Sequence, residues 1–260
     1  MTDILKDIVS FFVFAVVTPF RRNRKAVLVY HSVDYISEAD DPYKMNVRPA
    51  LFEKHMEHIA AHKELFTVTF DDGFGGVYRN AFPVMKKHGI RGVVFLTTDL
   101  LDSKVSMSKY FGKGHYPGPM TWDQAKEMSS SGFRIGSHTV THGNLGKLDD
   151  RDLSREMTES ARKIEAMIGK KPDLFSYPFG NAGSFTEKTG RVLEEAGYSK
   201  GYTNIMGMDN SSEEPYSIRR IRVYGTDNMF RFRMKVAGSY NWVDRLTGLF
   251  GKTQIGEIGR

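Results

Sequence analysis

Two aspartates in direct succession, Asp71 and Asp72, end an apolar run rich in β-formers, Leu65-Phe66-Thr67-Val68-Thr69-Phe70, and Gly73 follows at once. That pattern predicts a strand closing in a tight, backbone-permissive turn. Side chains alternate along a strand, so neighbouring acids point in opposite directions and can hold different tasks, one a metal and the other a proton. Asp-Asp-Gly is also ordinary turn chemistry, and taken alone it fits a surface turn. A second stretch, Ser137-His138-Thr139-Val140-Thr141-His142, carries two histidines four residues apart. On a helical turn both imidazoles would face one way, a spacing common for divalent metals, although a purely structural pair would read the same. With Asp72 the set becomes two neutral imidazoles and one carboxylate, which leaves coordination positions open for water and substrate.

A divalent ion in such a set acidifies its water toward neutral pH and polarises a carbonyl oxygen. Asp71, beside the carboxylate ligand, is then placed to take a proton from the attacking water. The developing oxyanion needs donors, and the turn at Pro178-Phe179-Gly180 can offer a backbone N–H. A leaving amine needs a proton, a task suited to a histidine. His31, at the end of the apolar run 26–30, is the candidate, with a packed core histidine as the competing reading. Two histidines and a carboxylate also serve iron oxygenases, so the donor set alone leaves that chemistry open.

The elements that must hold these residues alternate. Apolar, β-rich runs at 26–30, 93–96, 133–137, 173–178, around 201–203 and at 217–224 join the Asp-Asp strand to make about seven strands. Helical spacing marks 49–62, 77–88, a segment opening at Thr121 with Asp123 and Gln124 in its first turn, 150–168, 186–196 and 227–237. Such alternation predicts a parallel sheet with helices outside. No G-x-G-x-x-G motif is present, so a barrel fits better than a dinucleotide fold. Barrel chemistry sits on the loops after the strands, where His31, Asp71, Asp72, His138 and Pro178-Phe179-Gly180 all fall. The long connection 97–120 reads as functional for the same reason.

With 40% hydrophobic and 26% charged residues in 260, the chain reads as globular, not disordered or polytopic. No cysteine is present, so a metal must rely on His and carboxylate ligands. The net charge of +6 suits an anionic surface or polymer, while no nucleic-acid motif supports that class of partner. Residues 1–25 stand apart: an apolar run from Ile8 to Phe20 precedes Arg21-Arg22-Asn23-Arg24-Lys25. Thirteen helical residues reach only about 20 Å, short of a bilayer core of about 30 Å. Acids before the run and bases after it do not make a cleavable signal peptide. The segment is expected to lie in the plane of a membrane or to pack on the domain, with the protein cytoplasmic or peripheral on the cytoplasmic membrane face. The tail 238–260 carries Trp242, Leu246, Leu249 and Phe250, a second candidate docking stripe.

The ordered motifs TFDDG, SHTVTH and SYPFG resemble those of the polysaccharide deacetylase family, the NodB-homology carbohydrate esterases, over about 27–223. The resemblance implies a distorted (β/α)7 barrel, here 26–237, and a metal-dependent N-deacetylase acting on N-acetylated sugars in a polysaccharide or a lipid-linked form. It makes Asp71 the base, Asp72, His138 and His142 the metal ligands, and Phe179 the oxyanion donor, with Tyr177 and Pro178 beside it. Zinc is the leading expectation, with iron, nickel and cobalt as alternatives. Two departures stand out. The family's third motif carries an arginine two residues before the proline, where this chain has Ser176. Its late Leu-x-His motif is also missing, since no histidine follows His142. Both gaps are similar to a permuted subgroup acting on poly-β-1,6-N-acetylglucosamine, which carries its acid histidine early, as in Val27-Leu28-Val29-Tyr30-His31. In that arrangement an arginine of the final strand, Arg220, replaces the lost partner of Asp71.

Overall fold

A computed structural model of the chain describes residues 3–17, 25–106, 112, 115–208, 210 and 214–243. Seven strands close into a barrel in chain order: β1 Ala26–Tyr30, β2 Phe66–Phe70, β3 Gly92–Leu96, β4 Arg134–Ser137, β5 Leu174–Ser176, β6 Lys200–Met206 and β7 Ile218–Arg222. Every adjacent pair is parallel, and β7 returns to β1 with Leu28 opposite Ile221. The expected (β/α)7 architecture is therefore the one observed. The seam between β6 and β7 carries a register shift between Tyr202 and Met206, one source of the barrel's irregularity.

Two apolar layers follow from the strand period of two. Leu28, Tyr30, Val68, Phe70, Val94, Leu96 and Ile221 face outward onto the helices in the main core. Val93, Phe95, Leu174, Tyr202 and Ile218 form a separate apolar cluster with Val27, which makes them the filling of the barrel. Gly136 is part of that filling by having no side chain. A Cβ there would sit 2.5 Å from the Phe95 ring, so the absence of one is what lets a phenylalanine occupy the interior.

The outer helices are α1 Asp3–Val17, α2 Pro49–Ala60, α3 Phe82–Lys87, α4 Thr98–Leu101, α5 Trp122–Ser130, α6 Asp150–Ile168, α7 Glu187–Glu195 and α8 Met229–Val236. The capping box foreseen at Thr121 and Gln124 is present in both directions. Asp149 caps α6, and Gly169 ends it in the left-handed region. One expected helix, 77–88, is instead a π turn Val77–Ala81 running into α3. Pro83 explains the change, since it offers no N–H to the carbonyl four residues back and its ring crowds that position. The connection 97–120 contains α4 and then seals the turn after β2. Gly75 N–H donates to Gly118 O, and Met120 N–H donates to Gly73 O.

Helix α1 lies on α8 and is fixed by polar contacts. The Arg231 guanidinium meets Asp7 at 2.5 Å, the Tyr240 hydroxyl donates to the same carboxylate, and Trp242 Nε1–H donates to Ser10 Oγ at 3.2 Å. Among the described residues no helix is long and apolar enough to cross a membrane. Of the expected tail stripe, Trp242 is seen in this contact, while Leu246, Leu249 and Phe250 lie outside the described residues. Burial works to raise the Asp7 pKa, but the hydrogen bonds from Arg231 and Tyr240 and the Arg231 charge outweigh it, and the carboxyl sits below its ordinary value. A carboxylate depressed on folding stabilises above its unfolded pKa of about 3.9 and loses that contribution as pH falls through the folded value. The α1 dock is therefore expected to hold at neutral pH and to loosen below about pH 4. Trp242 emission in a Trp122→Phe background should red-shift over that range, and Asp7→Asn should show the shift already at pH 7. An acid titration without a shift would mean that other contacts hold the helix.

Candidate active site

All the strands deliver their C-terminal ends to one mouth, and the candidate residues arrive there by two routes. The first is register. Tyr30 lies opposite Phe70, and the Asp71 N–H donates to Tyr30 O, so His31 and Asp71 leave adjacent strands side by side. His31 is partly exposed and close enough that its charge lowers the pKa values of Asp71 and Asp72.

The second route is strain. Asp72 has φ 71°, and Gly73 N–H donates to Asp71 O at 2.9 Å, a three-residue turn in its rare positive-φ form. Phe179 repeats the device, with φ 61° and Gly180 N–H donating to Pro178 O at 2.7 Å. Thr139 and His142 also have positive φ, so four of the six such non-glycine residues described belong to this mouth. Each costs on the order of 1–3 kcal/mol and persists only where the surroundings impose it. Gly73 is one such imposition. It has φ 83°, and a Cβ would stand 2.9 Å from Leu101 Cδ1 and 3.0 Å from Leu96 Cδ2. The turns correct two expectations. The acids do not diverge as strand neighbours would, because the chain has left strand geometry at Asp72. The histidines do not share a helical turn; their segment is a loop.

Glu156 shapes that loop. It sits on the buried face of α6, 2% exposed, and its carboxylate accepts from Val140 N–H and Thr141 N–H, both at 2.9 Å, and from the Thr141 hydroxyl at 2.8 Å. Thr139 Oγ1 accepts from His142 N–H at 2.8 Å. The result sets His138 Nε2 and His142 Nε2 each 3.4 Å from Asp72 Oδ1. These three residues can each offer one ligand atom, all within 4.8 Å of one another.

The donor set fits a metal ion on a specific ground. His138 Nδ1 lies 2.7 Å from Ser176 O, an acceptor, so Nδ1 carries the hydrogen and Nε2, when unprotonated, turns a lone pair toward a carboxylate oxygen. Two acceptors facing each other in a buried site call for positive charge between them. Burial opposes a charged His138, yet Asp71 and Asp72 together raise its pKa, whereas burial dominates at His142 and lowers it to about 3. A second described trio, Glu53, Glu57 and His88, lies on the outer flank, and there Lys87 Nζ already holds Glu53 at 2.6 Å.

Asp71 is fully buried and paired bidentately with Arg220, Nη1 to Oδ1 at 2.8 Å and Nη2 to Oδ2 at 2.7 Å. Burial would raise its pKa, but the guanidinium holds it well below the usual carboxylate range. Ser176, at the position where the motif was expected to carry arginine, donates its hydroxyl to Asp71 Oδ2 at 3.1 Å and accepts from Arg220 Nη2 at 2.9 Å. Phe179 rests its ring against His142, centroids 4.9 Å apart, and Asn204 Nδ2 donates to Phe179 O. Pro178 is buried in the same turn. Tyr177 is the correction. Its ring stacks on Phe185 at 4.5 Å and its hydroxyl donates to Tyr216 O, so the side chain belongs to the core beneath α6 and α7 and not to the mouth.

Sequence reasoning passed over Ser176, Asn204 and Glu156 as contributors. Only Glu156 left a signal, an acid on the Leu153, Met157, Ser160, Ala161, Ile164 stripe of α6. Because the Asp71–Arg220 pair is buried, Arg220→Met is expected to cost about 3–5 kcal/mol in urea unfolding by stranding the carboxylate. Adding Asp71→Leu should recover most of that loss. A neutral single substitution would show that water or another cation already serves Asp71.

A family model described as polysaccharide deacetylase matches residues 58–201, more than half of the chain, including both acids and both histidines but neither His31 nor Arg220. YxkH of Bacillus subtilis, assigned to the polysaccharide deacetylases by name only, is 31% identical over 156 residues, covering 60% of this chain and 50% of its own. A poly-β-1,6-N-acetyl-D-glucosamine N-deacetylase of Staphylococcus aureus is 20% identical over 245 residues, covering 83% and 80%. The solved Streptococcus pyogenes deacetylase PplD, in complex with acetate, superposes with a TM-score of 0.69 at 20% identity, over 82% of this chain and 97% of its own. At that identity the likeness speaks for the fold. The chain spans half or less of the length of several curated relatives it matches. From the matched motifs, the closed seven-stranded barrel and the mouth they build, the chain belongs to the polysaccharide deacetylase family.

Proposed function

We propose that the chain is a metal-dependent hydrolase that removes N-acetyl groups from an N-acetylated amino sugar in a polysaccharide or glycolipid. The observation that carries this reading is the Asp72–His138–His142 donor set standing beside a second carboxylate, Asp71, whose orientation Arg220 fixes. Relatives named for removing acetyl groups from glycans support the substrate class.

A divalent ion held by Asp72, His138 and His142 would supply Lewis acidity toward the amide carbonyl and the attacking water, with zinc the first expectation and iron, nickel or cobalt compatible with the same donors. Asp71 stays ionised through its pairing with Arg220, and so it accepts the proton lost by water as the water oxygen adds to the carbonyl carbon. The same pairing limits how basic Asp71 is. Ser176 and Arg220 hold it in place, so its orientation, more than its proton affinity, is what the site provides. The carbonyl oxygen that gains charge is offered the Phe179 N–H, in a turn set by its own γ hydrogen bond and by Asn204. His31, beside Asp71 and partly open to solvent, gives a proton to the amine nitrogen as the C–N bond breaks, releasing acetate and a free amino sugar. Carrying both the donor and the arginine on the strands at the two ends of the barrel favours the poly-β-1,6-N-acetylglucosamine-like subgroup.

Free-amine release from N-acetylglucosamine oligomers, with zinc, cobalt or nickel added, tests the reading. Asp71→Asn should lower turnover by at least about a hundredfold while stoichiometric metal uptake is retained. Glycan binding without amine release under any metal would make the chain an inactive carbohydrate-binding barrel. Glu156→Gln, which removes an acceptor from the histidine loop, should weaken metal affinity about 10–100-fold by calorimetry, because the loop loses a partner that orients its ligands.

A further inference from the structure

Helix α1 is built inside out. Its polar side chains Asp7 and Ser10 face the protein and make the dock on α8 and Trp242. Its apolar side chains Leu5, Ile8, Phe11, Phe12 and Val16 face solvent, with Phe12 66% and Val16 67% exposed. Of the eight exposed large apolar side chains among the described residues, six are on this helix. A seventh is Phe230, which adjoins them with its ring 6.1 Å from that of Phe11. The eighth, Tyr35, is on the loop after His31. An apolar surface so concentrated marks an interaction site.

Charge identifies the occupant. In the sequence, α1 is followed after three residues by Arg21-Arg22-Asn23-Arg24-Lys25, four cations in five residues. A shallow groove that includes Met229, next to Phe230, is lined by Lys54 and Arg233, with Glu57 and a neutral His58. A cationic border attracts an anionic surface and repels a second copy of itself. The fifteen described helical residues span about 22 Å, short of a bilayer core of about 30 Å, which favours a helix lying along the surface. We propose that α1 and Phe230 insert into the interfacial zone of a bilayer containing anionic lipid, with the basic residues at the headgroups. Phe230 is in the first turn of α8, which begins just after β7 reaches the barrel mouth, so docking holds the mouth beside the lipid surface. This inference stands on the helix and is independent of the chemistry assigned to the site.

Flotation of the full chain with phosphatidylcholine vesicles, with and without phosphatidylserine, tests it. Binding is expected to the mixed vesicles, to weaken as salt is raised, and to fall by about tenfold or more in Phe12→Glu/Val16→Glu, where charge enters the apolar face. Both positions point away from the dock, so the thermal unfolding midpoint should be unchanged. A chain that stays with the soluble fraction in every vesicle preparation overturns the proposal, as does binding that the double substitution leaves intact. A concentration-dependent dimer, dissociated by that substitution and indifferent to vesicles, would assign the face to a second copy instead.

Discussion

The pairing of Arg220 with Asp71 is the interaction on which the mouth of the barrel depends. An arginine buried to zero exposure inside a barrel is tolerable only if its five N–H donors are all answered. Here they are: Nε–H donates to Thr203 O, Nη1 to Thr69 Oγ1 and Asp71, and Nη2 to Asp71, Ser176 and Asn204. Those acceptors come from β2, β5 and β6 or their ends, while the arginine comes from β7. Four strands are thereby tied across the lumen. Below the guanidinium plane lies the Phe95 ring, at 5.8 Å, the apolar floor on which the charged layer sits. Buried ion pairs add little net stability against an apolar alternative, so the gain from this one lies in orientation. It fixes one carboxylate beside the Asp72–His138–His142 set, whose members are held by strained turns.

That division explains why the mouth can be rigid although most of its residues are in loops. Regular hydrogen bonding ends at Phe70, Ser137 and Ser176, and each chain then turns within one to three residues through a positive-φ position. Left to themselves these turns would relax. Glu156 and Thr139 brace the histidine loop, Asn204 braces Phe179, and the 97–120 connection closes over Gly73 and Gly75. Except for Thr139, the bracing groups are remote in sequence from what they hold, which is why a loop of modest length keeps the three candidate ligand atoms within reach of one another.

The same contrast sets what the sequence could disclose. Strand and helix positions followed from periodicity, because burial of one face imposes a period on the residues. The 150–168 helix shows it, its length set by the apolar stripe and its end by the glycine that follows. The candidate metal trio was legible from residue type and spacing, although for a partly mistaken reason, since the histidines converge through a braced loop and not through a helical turn. Turns were legible at both places from the glycines, but that the positive φ falls also on Asp72 and Phe179 themselves was not. Tyr177 shows the limit from the other side. It sits within a recognisable motif, yet alternation after β5 sends its side chain outward to Phe185 and Tyr216. The Ile-Arg-Arg-Ile-Arg run of β7 offered three arginines. Strand alternation places Arg220 on the interior face with Ile218, and only a closed barrel gives that face a meaning.

Closure also accounts for the arginine's change of strand. In an open sheet, β7 would be the far edge, and a group carried on it could not reach a site centred on β2 and β4. In this barrel β7 pairs with β1, and β1 pairs with β2. His31, just after the first strand, is one neighbour from Asp71, and Arg220, on the last strand, lies two strands round the wall and reaches Asp71 across the lumen. The arginine expected at position 176 would enter from β5; the one present enters from β7. Both are aimed at the same place, since Arg220 Nη2 ends 2.9 Å from Ser176 Oγ, the point at which a longer side chain on β5 would begin. A barrel offers its interior equally to every strand, so what must be retained is the charge at that point, and the strand that supplies it is free to change.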